Sequence, residues 1–180
     1  MTLDYHKKFD WKHVIDVLRD EGTLTDCRGC GLHVHVNRTA TNNWNWHKID
    51  AFINNYVDFN EMIAGRSESS YARFRDVTLN RKKYIDAHEK YVLRQGHGTA
   101  VNTENRNTVE IRIFASTFDI EELYARLEYV EALVKYSHHF VAANITSKKE
   151  CEIDKFVKYV RDNSERYNNL VEYLSKNYSK

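Results

Sequence analysis

Two histidines, a glutamate and an arginine are the residues of this chain whose types and spacing could do chemistry. In Gly31-Leu32-His33-Val34-His35-Val36-Asn37, apolar and polar residues alternate strictly. That is the period of a half-buried strand, so Leu32, Val34 and Val36 face a core and His33, His35 and Asn37 share the other face. Side chains two apart on a strand are separated by roughly 7 Å, so both imidazoles can reach one metal ion or one polyphosphate. Thr108-Val109-Glu110-Ile111-Arg112-Ile113-Phe114 repeats the pattern, with Glu110 and Arg112 on its polar face. If the two strands share a sheet with their apolar faces under the same helices, His33, His35, Glu110 and Arg112 converge. The set then contains a metal-ligand type, a phosphate-binding type and a carboxylate. For either strand alone, an amphipathic strand with a solvated polar face is the simpler reading.

Around these strands the chain reads as helices. Proline is absent from its 180 residues, which favours long uninterrupted helices joined by short polar connections. Residues 1–9 read as a lead-in. Asp10 is suited to cap a helix carrying Trp11, Val14, Ile15 and Leu18, and Gly22 to end it. Asn42, Asn43 and Asn45 surround the start of a second helix, whose apolar positions from Trp46 to Ile63 run down to Gly65. After a polar loop at Arg66–Tyr71, the pattern predicts a further helical segment carrying Arg73, Arg75, Arg81, Lys82 and Lys83. Between Arg66 and Arg94 there are eight basic and four acidic residues, the one locally positive region and a candidate contact for phosphate or a partner. A solvated helix face is the alternative. Thr99–Asn102 is predicted as a short strand forming a hairpin with the Glu110 strand. Asp119 caps a long helix running to about Asn144, and Lys148–Lys180 is helical again.

The expected class is therefore α+β. A small, mainly antiparallel sheet has helices on one face and its polar face open, and a helical tail follows. The domain reading is an α+β unit over residues 1–145 and a helical extension over 146–180 packed on it. With 27 basic and 26 acidic residues the net charge is +1, which gives no global nucleic-acid signature. Three cysteines and no apolar N-terminal run point to a reducing cytoplasm, without secretion or a membrane span. Cys27-Arg28-Gly29-Cys30 with His33 and His35 supplies four zinc-ligand types. Against zinc, a strand carries its side chains away from the loop by about 3.3 Å per residue, and no second CxxC follows. Oxidation of Cys27 and Cys30 is the other reading, disfavoured in a reducing compartment.

The stretches Cys30–Val36 and Thr108–Phe114 together resemble the amidoligase family of phages and mobile elements, which belongs to the glutamine synthetase-like carboxylate–amine ligases. Trp11–Arg38, Arg66–Ser69, Val101-Asn102 and Thr108–Leu127 are similar to that family in order and spacing, so the resemblance covers residues 5 to about 135. It implies that the fold is half of a glutamine synthetase-like catalytic domain. It further implies that His33 and Glu110 are metal ligands, that His35 lies against nucleotide phosphates, and that Arg112 meets the transferring phosphoryl group, with Mg²⁺ and ATP as cofactors. The chain departs from the family where the metal site needs most: the upstream strand with a Glu-x-Glu pair is missing. Its single Glu-x-Glu, Glu150-Cys151-Glu152, falls in the wrong order. One carboxylate and one imidazole do not hold two or three Mg²⁺ ions.

Three functions follow as expectations. The first is a phage or mobile-element accessory protein on a truncated amidoligase-like fold. It would work in the bacterial cytoplasm by binding and inhibiting a protein or ribonucleoprotein effector of host defence, in the manner of an anti-CRISPR inhibitor of a Cas9-type effector or its guide RNA, and would need no cofactor. The second is an ATP- and Mg²⁺-dependent ligase or phosphotransferase completed in trans. The third is metal-dependent phosphodiester cleavage, of RNA for example, using the histidine pair, with His33, His35 and Glu110 as a single-metal or acid–base site.

Overall fold

The computed structural model describes residues 2–23, 30–79 and 98–179. In chain order these form α1 (Leu3–Lys8), α2 (Trp11–Asp20), β1 (Leu32–Asn37), a 3₁₀ turn (Arg38–Ala40), α3 (Asn43–Asn55), α4 (Val57–Ala64), β2 (Val101–Asn102), β3 (Thr108–Phe114), α5 (Ile120–Tyr136), α6 (Ala142–Thr146), α7 (Cys151–Asp162) and α8 (Asn168–Asn177). The described residues thus comprise eight α-helices and a three-stranded antiparallel sheet of order β1-β3-β2, an α+β architecture.

The capping residues act as their chemistry requires. Asp10 accepts a hydrogen bond from the His13 amide at 3.0 Å, Asn42 from Asn45 at 2.8 Å, and Asp119 from Glu121 at 2.8 Å. Val109, Ile111 and Ile113 are buried beneath the helices, with Phe52, Tyr129, Phe140 and Phe156 in the same apolar cluster. Phe52 stacks on Phe140 with ring centroids 4.6 Å apart. The C-terminal helices α7 and α8 join this one core through Phe156, Val160, Leu170 and Leu174. Glu128, fully buried on α5, accepts from the Leu170 amide at 2.8 Å and pairs with Lys7 of α1 at 2.8 Å, which ties both chain ends to α5.

Several expectations are corrected. The lead-in is the helix α1, capped by Thr2. The helix expected from Asn43 to Gly65 breaks at Tyr56 (φ −110°, ψ 63°), whose hydroxyl donates to Lys149 O at 3.0 Å and whose carbonyl accepts from the Asn60 amide side chain at 2.8 Å. Burial of the tyrosine at this anchor overrides a periodicity that runs unbroken through it. The helix expected to reach Asn144 ends at Tyr136, and α6 follows separately. Residues 72–79, expected as helix, are irregular. Arg73 instead bridges Thr99 in parallel, donating its amide to Gly98 O and accepting from the Ala100 amide, each at 3.0 Å. The polar face of the sheet is also less open than expected, since Glu110 and Arg112 are buried on it. Among the described residues no helix is long and apolar enough to cross a membrane.

Candidate active site

The register of the sheet sets the site. Glu110 on the central strand β3 lies directly between His35 on β1 and Asn102 on β2. Its carboxylate is only 6% exposed and both oxygens are engaged. Oε1 is 2.9 Å from His33 Nδ1 and accepts from an Arg112 guanidinium nitrogen at 3.0 Å, with His35 Nε2 at 3.7 Å. Oε2 accepts from the Asn102 amide at 2.8 Å and from Asn105 at 3.4 Å. The four residues singled out by alternation therefore meet at one carboxylate.

The surrounding contacts fix this geometry. The turn between β2 and β3 is held by Arg38, whose Nε donates to Asn105 O at 3.0 Å, and the Asn102 side chain accepts from the Glu104 amide at 3.0 Å. Arg112 donates its Nε to Tyr71 O at 3.3 Å, so the turn at 69–72 covers β3. His35 Nδ1 lies 3.2 Å from Thr108 Oγ1. The imidazoles are the accessible part of the cluster, with side chains 36% and 50% exposed for His33 and His35.

Electrostatics assigns the protonation states. Burial pushes the Glu110 carboxyl up, but the Asn102 hydrogen bond and the charges of Arg112 and the two histidines outweigh it, leaving the group below its ordinary value and ionised. His33 is held below its ordinary value by burial first and by Arg112 second, so it is neutral at pH 7. An ionised carboxylate only accepts, which places the His33 proton on Nδ1 and leaves Nε2 with a free lone pair. The result is an oriented base beside a second imidazole, in a field where the Arg66 and Arg112 charges outnumber the Glu110 charge.

The donor set does not fit Mg²⁺. A hard cation wants several unshared carboxylate oxygens, whereas the one carboxylate here is already taken up by a guanidinium, two amides and an imidazole. Among the described residues no group of three or more His, Cys, Asp or Glu is disposed to hold a metal ion. Cys30 is disulfide-bonded, which removes its sulfur as a zinc thiolate, and Cys27 lies outside the described residues. Glu152 of the Glu-x-Glu pair is fully buried and accepts from the Val141 amide at 2.7 Å and Asn144 Nδ2 at 2.9 Å, remote from Glu110 in role.

Of the basic residues expected to contact phosphate or a partner, Arg66 and Arg75 are engaged within the fold. The Arg66 guanidinium donates to Ile113 O at 2.8 Å, Arg112 O at 2.7 Å and Cys30 O at 3.2 Å, pinning the start of β1 to the end of β3. Gly31 packs closely there: a methyl group would sit 3.1 Å from that guanidinium and 3.3 Å from Phe114 O, so its neighbours would have to give by a few tenths of an ångström. Arg75 pairs with the buried Asp50. Arg73 is exposed beside the sheet edge, and Arg81, Lys82 and Lys83 lie outside the described residues. Pattern reading missed the roles of Asn102, Asn105 and Thr108. A buried asparagine paired across a hairpin from a glutamate is a signal for the first. Nothing in the sequence marks Asn105. Protein-family models, curated proteins and solved structures were all compared with the chain, and none matches it.

Proposed function

We propose that the polar face of the sheet is a metal-independent acid–base site acting on a phosphodiester, with RNA as the substrate class. The observation that carries this reading is the shared Oε1 of Glu110, which orients His33 and stands beside both His35 and Arg112. A histidine pair without a metal-activated water needs a nucleophile within the substrate, and the RNA 2′-hydroxyl supplies one. His33 Nε2 takes the proton of the 2′-hydroxyl as O2′ bonds to phosphorus. His35 gives a proton to O5′ as the P–O5′ bond breaks. The products are a 2′,3′-cyclic phosphate and a 5′-hydroxyl. Tyr71, an exposed aromatic whose carbonyl holds Arg112, offers a ring on which a base can stack.

The test is end-labelled RNA incubated with the protein in EDTA. Cleavage to cyclic-phosphate ends, lost in His33→Ala and His35→Ala, is the expected result, and intact RNA overturns it. The biological setting consistent with this chemistry is an accessory protein that disables the RNA of a ribonucleoprotein defence effector.

A second reading, inhibition of such an effector by binding alone, draws on the engagement of Arg112 with Glu110 and Tyr71 O, which leaves the imidazoles to grip phosphate without turnover. Intact RNA that nevertheless co-migrates with the protein, together with loss of effector activity, would select it.

A further inference from the structure

β1 is an edge strand of the sheet, and among the described residues no strand pairs with its outer edge. The Arg38 amide donates to Asn107 O at 3.0 Å, which marks those two positions as a hydrogen-bonded pair. Alternation then turns the main-chain groups of Val36 and Val34 toward β3, and those of His33, His35 and Asn37 away from the sheet. Among the described residues no backbone hydrogen bond takes these outward groups. The usual protections of an edge are also missing from β1, which carries no lysine, no carboxylate and no proline. Its register shift sets two steps of β1, from Leu32 to Val34, against three of β3, from Ile111 to Phe114, so the extra residue lies on β3 and not on β1.

We propose that this edge pairs with the same edge of a second copy, antiparallel about a two-fold axis at Val34. The sequence of β1 is self-complementary in that register. Val34 faces Val34 of the second copy, Leu32 faces its Val36, and His33 faces its His35. His33 and His35 are outward-bonding positions, so the pairing supplies main-chain hydrogen bonds where both edges need them. Leu32, Val34 and Val36 are only half-buried, whereas Val109, Ile111 and Ile113 on β3 are buried, so the second copy covers the apolar surface that β1 leaves uncovered. The pairing makes one six-stranded sheet. Its polar face brings four imidazoles together between two Glu110 carboxylates, and each copy contributes histidines beside the other's site. This assembly does not rest on the reaction proposed above.

A six-residue strand gives a smaller interface than a standard protein–protein contact, so association is expected at protein concentrations on the order of 100 µM. Sedimentation of the full chain should show a dimer there. Hydrogen exchange at the His35 and Asn37 amides should slow as concentration rises. In a Cys151→Ser background, Val34→Cys should give a covalent dimer on mild oxidation, because the two positions meet on the axis. Leu32→Cys, opposite Val36, should not. A chain that stays monomeric, with amide exchange independent of concentration, overturns the proposal. So does a dimer in which Val34→Cys links no better than Leu32→Cys.

Discussion

His33 Nδ1 lies 2.9 Å from Oε1 of Glu110, and that same oxygen holds Arg112 at 3.0 Å. One atom therefore sets the tautomer of an accessible base and neutralises a buried guanidinium. Removing it should damage chemistry and fold together, in separable amounts. Glu110→Gln keeps the shape but deletes the charge and sets an NH₂ among donors. RNA cleavage should fall by about 10²- to 10⁴-fold, the range of a lost acid–base contribution. Glu110→Ala strands Arg112 in the interior and should cost about 3–5 kcal/mol in chemical denaturation. Equal stability in Glu110→Ala and the parent would refute the pairing.

Asn102 is the group that keeps Glu110 ionised from the other side. It is fully buried, gives its amide hydrogen to Oε2 and takes the Glu104 amide hydrogen on its oxygen. Asn102→Ala leaves Oε2 of the buried Glu110 with only the 3.4 Å contact from Asn105 and should cost about 1–3 kcal/mol. The sign of the pH effect follows from the direction of the Glu110 shift. Its folded value lies below the ordinary 4.5, so its stabilising contribution is present above that pH and disappears as pH falls through the folded value. Without Asn102 the folded value rises toward the ordinary one, so the acid loss of stability should be smaller and complete at a higher pH. Urea titrations across the acid limb for both proteins would measure the displacement.

The convergence of His33, His35, Glu110 and Arg112 was legible because a period of two on each strand dictates faces, and a shared apolar core aligns those faces. The hairpin of β2 and β3 and the Asp10 and Asp119 caps were legible because turn and cap chemistry is local. What escaped the pattern depends on distant partners. The break at Tyr56 exists because its hydroxyl finds the carbonyl of Lys149, ninety-three positions away. Arg73 and Arg75 leave the helical pattern because one joins the Thr99 strand edge and the other meets Asp50. Arg66 reads as a surface charge in sequence, and only the closure of β1 on β3 gives it three carbonyls to bind.

His47 gives the fold an acid limit of its own. Burial first, and the Arg75 charge second, lower its pKa to about 4. The unfolded chain, with histidine near 6.5, binds more protons than the folded one between those values, so stability present above about pH 6.5 is lost as pH falls toward 4. The loss amounts to at most about 3 kcal/mol at 1.36 kcal/mol per pH unit. His47→Leu should flatten the stability–pH curve between pH 6.5 and 4 while leaving the Glu110 limb below it in place. Parallel curves for the two proteins would show that His47 is not the titrating group.

Arg66 and Arg73 stand close in sequence and should behave as opposites. Arg66 is charged, half-buried and spends its guanidinium on three main-chain carbonyls, so a lysine, with a single ammonium, cannot replace it. Arg66→Lys should lose about 2–3 kcal/mol, the scale of hydrogen bonds to a charged donor, with RNA affinity changed only through the fraction folded. Arg73 holds the sheet edge through its main chain, which any residue supplies, and its side chain is exposed. Arg73→Ala should therefore change stability by no more than about 0.5 kcal/mol. If the polar face binds RNA, the same substitution should weaken binding and reduce the slope of log affinity against log salt by about one. Denaturation curves and salt-dependent binding on the two variants separate the roles. A destabilised Arg73→Ala with an unchanged salt slope would move Arg73 to the structural side and leave the histidine pair to hold phosphate by itself.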